Sequence, residues 1–124
     1  METLRVVLYQ NDPGTAQILA VSLSQHFNCV HLARSYEEAR SAVAGHRADA
    51  LVLDLETSGP DEVERIHHEF PSLCIVGTHR LADEELWTEA LNRGASDICE
   101  PRKDDVVRSV LHSVSNGLRR HAAA

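Results

Sequence analysis

The chain has 124 residues, 43% of them apolar and 25% charged, with a formal net charge of −7. That length suits one domain with a core of its own, and the acidic balance lacks the basic footprint of a nucleic-acid binder. No segment approaches the ~18 apolar residues of a membrane span, and Met-Glu-Thr-Leu-Arg leads straight into Val6-Val7-Leu8 without a signal-peptide layout, so a cytoplasmic location is expected, with neither nucleic acid nor membrane as partner.

Residues 4–9 (LRVVLY) are a short run rich in β-branched side chains, closed by the polar cluster Gln10-Asn11-Asp12-Pro13-Gly14. This predicts a buried strand and then a loop. Over 15–27, Ile18, Leu19, Val21, Leu23 and Phe27 fall at helical spacings, with Asp12 as a candidate N-cap and Pro13 at the first helical position. Residues 29–33 (CVHLA) are a second strand. Ser35, with Glu38 three residues on, is a capping-box signature for a helix to about Ala44, with Gly45 as its stop. Residues 48–55 (ADALVLDL) are nearly continuous in apolar side chains, as in a strand covered on both faces. The loop Ser58-Gly59-Pro60 precedes a helix over 61–70 that Pro71 ends. A fourth strand follows over 73–78 (LCIVGT), then a helix over 82–93 with Leu86, Ala90 and Leu91 inward and Gly94 as its stop. A short strand over 95–99 leads to a last helix over 104–118, with Val107, Val110, Leu111, Val114 and Leu118 at spacings of three and four. Residues 1–121 are expected to form the domain and 122–124 a frayed tail.

Five strands alternating with five helices predict a parallel sheet with helices on both faces. Right-handed crossovers favour a three-layer αβα sandwich. The leading solution is a (βα)5 flavodoxin-like, doubly wound sheet with strand order 2-1-3-4-5, whose ligand site lies beyond the carboxyl ends of the strands. Those ends carry Gln10, Asn11 and Asp12 after the first strand, and Asp54 at the third. Thr78 and then His79 follow the fourth, and Glu100-Pro101 the fifth. Plainer roles exist for each. Asp54 can cap nearby backbone amides, Thr78 can be an ordinary β-branched strand residue, and Glu100 can pair with Arg102 or Lys103 at the surface. His67-His68 read as a solvated helix face and Trp87 as half-buried packing. Cys29, Cys74 and Cys99 are far apart in apolar runs and read as buried free thiols. The first loop has no Gly-rich phosphate cradle, and no Ser-His-Asp or Cys-His set is placed convincingly, so an enzyme is not expected.

Taken in order, Gln10-Asn11-Asp12-Pro13, Leu53-Asp54-Leu55, Ser58-Gly59, Asp61, Val76-Gly77-Thr78, Gly94-Ala95-Ser96-Asp97 and Glu100-Pro101 resemble the receiver domain of two-component response regulators, over essentially the whole chain. The resemblance implies an acidic pair after strand one that, with the strand-three aspartate, binds Mg²⁺. It implies that this aspartate takes a phosphoryl group from a histidine kinase. A Thr or Ser ending strand four contacts the phosphoryl oxygen, and a Lys before a Pro pairs with it. An aromatic residue in strand five re-shapes the output face.

Carried over by position, Asp54 is the phosphoacceptor candidate and Thr78 the phosphoryl-contact candidate. The remaining positions depart from the pattern. Gln10 and Asn11 replace the acidic pair, with Asp12 just behind them. His79 replaces a small residue and Ile98 the switch aromatic; with the following Pro as anchor Glu100 replaces the lysine, whereas an ungapped count from Gly94 puts Pro101 there, and either way the lysine is absent. For a metal, only Asp12 and Asp54 remain as weak candidates. Mg²⁺ is anchored by carboxylates, and a unit charge pair at ~4 Å is worth on the order of 4 kcal/mol near a protein surface. Two lost charges and one reversed charge therefore predict weak Mg²⁺ binding and poor or absent phosphorylation. The expected function is an atypical receiver domain acting as a protein-interaction module. The alternative is a working phosphoacceptor on Asp54. Expected partners are a histidine kinase or downstream signalling protein, or a second copy through the helix 4–strand 5–helix 5 face.

Overall fold

A computed structural model describes residues 2–123, with side-chain surroundings for residues 4–116. The strands are β1 (Glu2–Tyr9), β2 (Phe27–Ala33), β3 (Ala50–Asp54), β4 (Cys74–Thr78) and β5 (Asp97–Cys99). The helices are α1 (Pro13–His26), α2 (Tyr36–His46), α3 (Gly59–Glu69), α4 (Glu84–Asn92) and α5 (Lys103–Ala123). All strand pairs are parallel, in the order β2-β1-β3-β4-β5. This is the flavodoxin-like α/β sheet that the alternation predicts.

The period-two geometry of strands splits the core in two. Val7, Tyr9, Leu51, Leu53 and Ile75 face α2, α3 and α4, where Ala42, Val43, Val63, Ile66 and Ala90 meet them. Val6, Leu8, Ala50, Val52 and Val76 face α1 and α5, against Leu19, Leu23, Val106, Val110 and Val114. Each fully buried Val, Leu or Ile stabilises the fold by roughly 1.5–3 kcal/mol. β3 is buried at all five positions, as a central parallel strand must be.

Several expectations shift. Phe27 opens β2 rather than closing α1, and it is buried there. Ile18 and Val21 lie on the outer face of α1, 61% and 55% exposed, because Ala16, Leu19 and Leu23 already make the inward stripe. Gly45 does not stop α2. The helix continues to His46, and Arg47 takes the left-handed C-cap at φ 52°, its N–H donating to the Val43 carbonyl. Leu91 faces outward at 39% exposure, while Ala90 fills the core. Cys29 and Cys99 are only partly buried; Cys74 is buried, its thiol donating to the Ser113 carbonyl at 3.4 Å, and none of the three forms a disulfide. α5 runs on to Ala123; the side chain of Leu118 and the whole of Ala124, part of the expected frayed tail, lie outside the described residues. Among the described residues, no helix is long and apolar enough to cross a membrane.

Candidate functional site

Parallel strands in this order bring the ends of β1, β3 and β4 side by side. Tyr9 is in register with Leu53, and Asp54 with Thr78. Gln10, Asp54 and Thr78 are all buried there, at 6%, 6% and 1% exposure. A buried polar group must find a partner or lose the free energy of its hydration, and these three do.

Gln10 Nε2 donates to Thr78 Oγ1 at 2.8 Å, and that hydroxyl donates on to the Leu53 carbonyl at 3.4 Å. The chain of donors ties β1 to β4 across β3. The Asp54 carboxylate is engaged at both oxygens. Oδ1 accepts from the Glu56 amide at 3.0 Å. Oδ2 accepts from Thr57 Oγ1 at 2.7 Å and, more distantly, from the Asn11 amide at 3.5 Å. The main chain then closes the turn into α3 by a bond from the Ser58 amide to the Asp54 carbonyl. Asp54 is thus the local cap of the β3–α3 loop.

The other positions are placed as follows. Asp12 caps α1, as its spacing to Pro13 predicts: Oδ2 accepts from the Thr15 amide at 2.9 Å and from its hydroxyl at 2.7 Å. Those two bonds hold the Asp12 carboxyl below its ordinary pKa, and the guanidinium of Arg80 adds to the effect. His79 is half-buried, and its ring turns back on its own loop, Nδ1 accepting from the Leu81 amide at 3.0 Å. No hydrogen bond joins it to Asp54 among the described residues. Ile98 is a core residue at 2% exposure. Glu100 is exposed and pairs with Arg102 at 3.2 Å, and Lys103 opens α5 on the surface.

Two residues of the site escape sequence reasoning. Thr57 holds Asp54, and its signal is local: a hydroxyl three residues after an aspartate is common turn chemistry. Arg80 reaches from the β4–α4 loop to Glu56 in the β3–α3 loop, with Nε 3.1 Å from each carboxylate oxygen. That pair joins residues 24 apart, and only the sheet order brings them together.

The donor set does not fit Mg²⁺. Asp54 faces the amides Gln10 and Asn11 after the end of β1 where a carboxylate pair is expected, its oxygens already accept three hydrogen bonds, and Asp12 is committed to the α1 cap. Gln10 and Asn11 offer uncharged amides, and Gln10 spends its amino group on Thr78. Among the described residues there is no group of three or more His, Cys, Asp or Glu arranged to hold a metal ion.

No family model and no curated protein matches the sequence. The structure does match solved ones. NtrX from Brucella abortus, solved in complex with ADP, superposes with a TM-score of 0.85 at 18% identity over 98% of this chain, and the chain spans only 29% of that protein's length. A response regulator from Thermotoga maritima gives 0.81 at 22% identity, covering 92% of this chain and 99% of that one. The chemotaxis protein CheY4 from Vibrio cholerae gives 0.81 at 14% identity, covering 90% and 99%. The likeness is one of fold. This chain has the fold of the response-regulator receiver domain.

Proposed function

We propose that this chain is an atypical receiver domain of two-component signalling that works in the cytoplasm as a protein-interaction module. It performs no chemistry of its own, binds Mg²⁺ weakly and accepts little or no phosphate on Asp54. The observation that supports this most is the Asp54 carboxylate, engaged at both oxygens in a site whose β1 end carries amides. Phosphoryl transfer depends almost wholly on positioning and charge neutralisation. Here the metal's carboxylates are missing, and the position expected for a lysine holds Glu100.

The partner is a histidine kinase or a downstream signalling protein, and a second copy of the chain is one form of that contact. The α4–β5–α5 face suits it, because Trp87 and Leu91 stand one turn apart on α4 at 41% and 39% exposure, and Leu81, in the loop before α4, is 87% exposed. One observation favours the alternative phosphoacceptor reading: Asp54 and Thr78 are register partners, as a phosphoacceptor and its hydroxyl contact would need to be.

An amide NMR titration with Mg²⁺ and then beryllofluoride separates the two. The expected result is no shift at Asp54 or Thr78 at millimolar Mg²⁺, with Asp54→Ala leaving partner binding intact. Shifts spreading from Asp54 to Thr78 and β5, and lost in Asp54→Ala, establish the phosphoacceptor instead.

A further inference from the structure

Ala16 and Ala20 stand one turn apart on the sheet-facing side of α1. Side chains so small leave room beside β2, and there the structure has a cavity of about 520 Å³. Ala16, Ala20, Val21 and Leu32 give it an apolar lining, and Gln10 and Arg34 are among its polar residues. Small-molecule sites are mostly apolar concavities of this size with a few placed polar groups.

Two of the polar groups are unmatched within the protein. Gln10 is 6% exposed and gives its Nε2 to Thr78, but its Oε1 accepts no hydrogen bond among the described residues and is not sealed from solvent. Arg34 is exposed and has no carboxylate partner among the described residues, on a chain whose net charge is −7. An amide oxygen that no protein group occupies is open to a donor from a ligand. An unpaired guanidinium matches a carboxylate in fork geometry.

We propose that the α1–β2 cavity binds a small amphipathic carboxylic acid bearing a hydroxyl group. Its apolar body lies on Ala16, Ala20, Val21 and Leu32, its carboxylate pairs with Arg34, and its hydroxyl donates to Gln10 Oε1. Because the other end of Gln10 holds the Thr78 hydroxyl, occupancy is read at the end of β4, where the α4 face begins. No atom of Asp54 lines the cavity, so this site goes beyond the interaction-module reading and does not depend on it.

The test is an amide NMR titration of the whole chain with 4-hydroxyphenylacetate, salicylate and 3-(4-hydroxyphenyl)propionate, and with 4-hydroxyphenylacetamide as the neutral control. The expected result is saturable shifts at Gln10, Ala20, Leu32 and Arg34 by about 10 mM for at least one acid, an affinity near 3 kcal/mol, together with a shift at Thr78. Arg34→Gln weakens the acid about tenfold, the scale of one charge-assisted bond, and leaves the neutral amide unchanged. Ala20→Leu fills the cavity and abolishes binding; if that variant does not fold, Arg34→Gln decides alone. Gln10→Met weakens the acid by removing the acceptor of its hydroxyl and, at saturating acid, loses the shift at Thr78. Cavity residues that stay silent for all three acids overturn the site, as do shifts indifferent to Arg34→Gln. Cavity shifts that never reach Thr78 overturn the coupling. Beryllofluoride added to a separate sample reads Asp54 independently, so either reading can fail without the other.

Discussion

Single residues set the tolerances of this protein. Gly94 sits at φ 122°, and a Cβ there would run into the ring of His67 on α3. Gly94→Ala is expected to cost about 2 kcal/mol or more in urea unfolding, from backbone strain and overpacking together. Asp54→Ala removes the acceptor for two well-formed bonds in the β3–α3 turn and is expected to cost about 1–3 kcal/mol in the same assay. Any signalling defect of that variant therefore has to be read against its stability. Cys99 shows how burial controls a reactive group. Desolvation, with the charge of Asp97 nearby, pushes its thiol up to about 12 from 9.0. The sign follows from which state ionises first. Below 9.0 the thiol is neutral in both states, and as pH rises from there toward 12 the unfolded chain loses its proton first, so the contribution to stability is lost. Cys99 is accordingly expected to stay unmodified by Ellman's reagent in the native protein at about pH 8, where only a thiolate attacks. Mass spectrometry of the labelled chain checks this.

At the scale of elements, caps and faces decide what the spacings leave open. Ser35 is the N-cap of α2, its Oγ accepting from the Glu38 amide at 3.1 Å, and Ser35→Ala is expected to cost about 1 kcal/mol. In α1, adjacent residues have opposite fates. Leu19 is fully buried and Ile18 is 61% exposed. Leu19→Ala is expected to cost about 2–5 kcal/mol, while Ile18→Lys stays within about 0.5 kcal/mol of the parent. Thermal or urea unfolding of the two variants side by side reads the contrast directly. The cap at Asp12 adds a pH dependence. Its folded-state pKa lies below 3.8, so its contribution is present above that value and is lost as pH falls through the folded one. A carboxyl titration of Asp12 by NMR is expected to show a midpoint below the ordinary aspartate range.

For the whole molecule, a ligand that binds only the folded state stabilises it by RT ln(1 + [L]/Kd) and so raises the unfolding temperature. The donor set at Asp54 predicts that about 5 mM Mg²⁺ shifts that temperature by less than ~1 °C, and calorimetry with and without the ion checks it. The amino-acid pattern alone specifies the number, kind and order of the elements. β-branched runs, turn clusters and caps such as Asp12-Pro13 and Ser35-Glu38 are local signals, and strict alternation admits few topologies. It also determined which residues reach the strand ends, because Gln10, Asp54 and Thr78 each close a legible apolar run. The tertiary structure alone decided how those ends are partnered. Gln10 lies 68 residues from Thr78, and Arg80 lies 24 from Glu56. No spacing rule spans such gaps, and the pairs form only when β1, β3 and β4 lie side by side. It also decided which helix residues face out, since a periodic pattern as broad as that of α1 or α4 fits more than one rotation about the helix axis. Packing against the sheet fixed one of them, burying Leu19 and Ala90 and leaving Ile18 and Leu91 to the solvent.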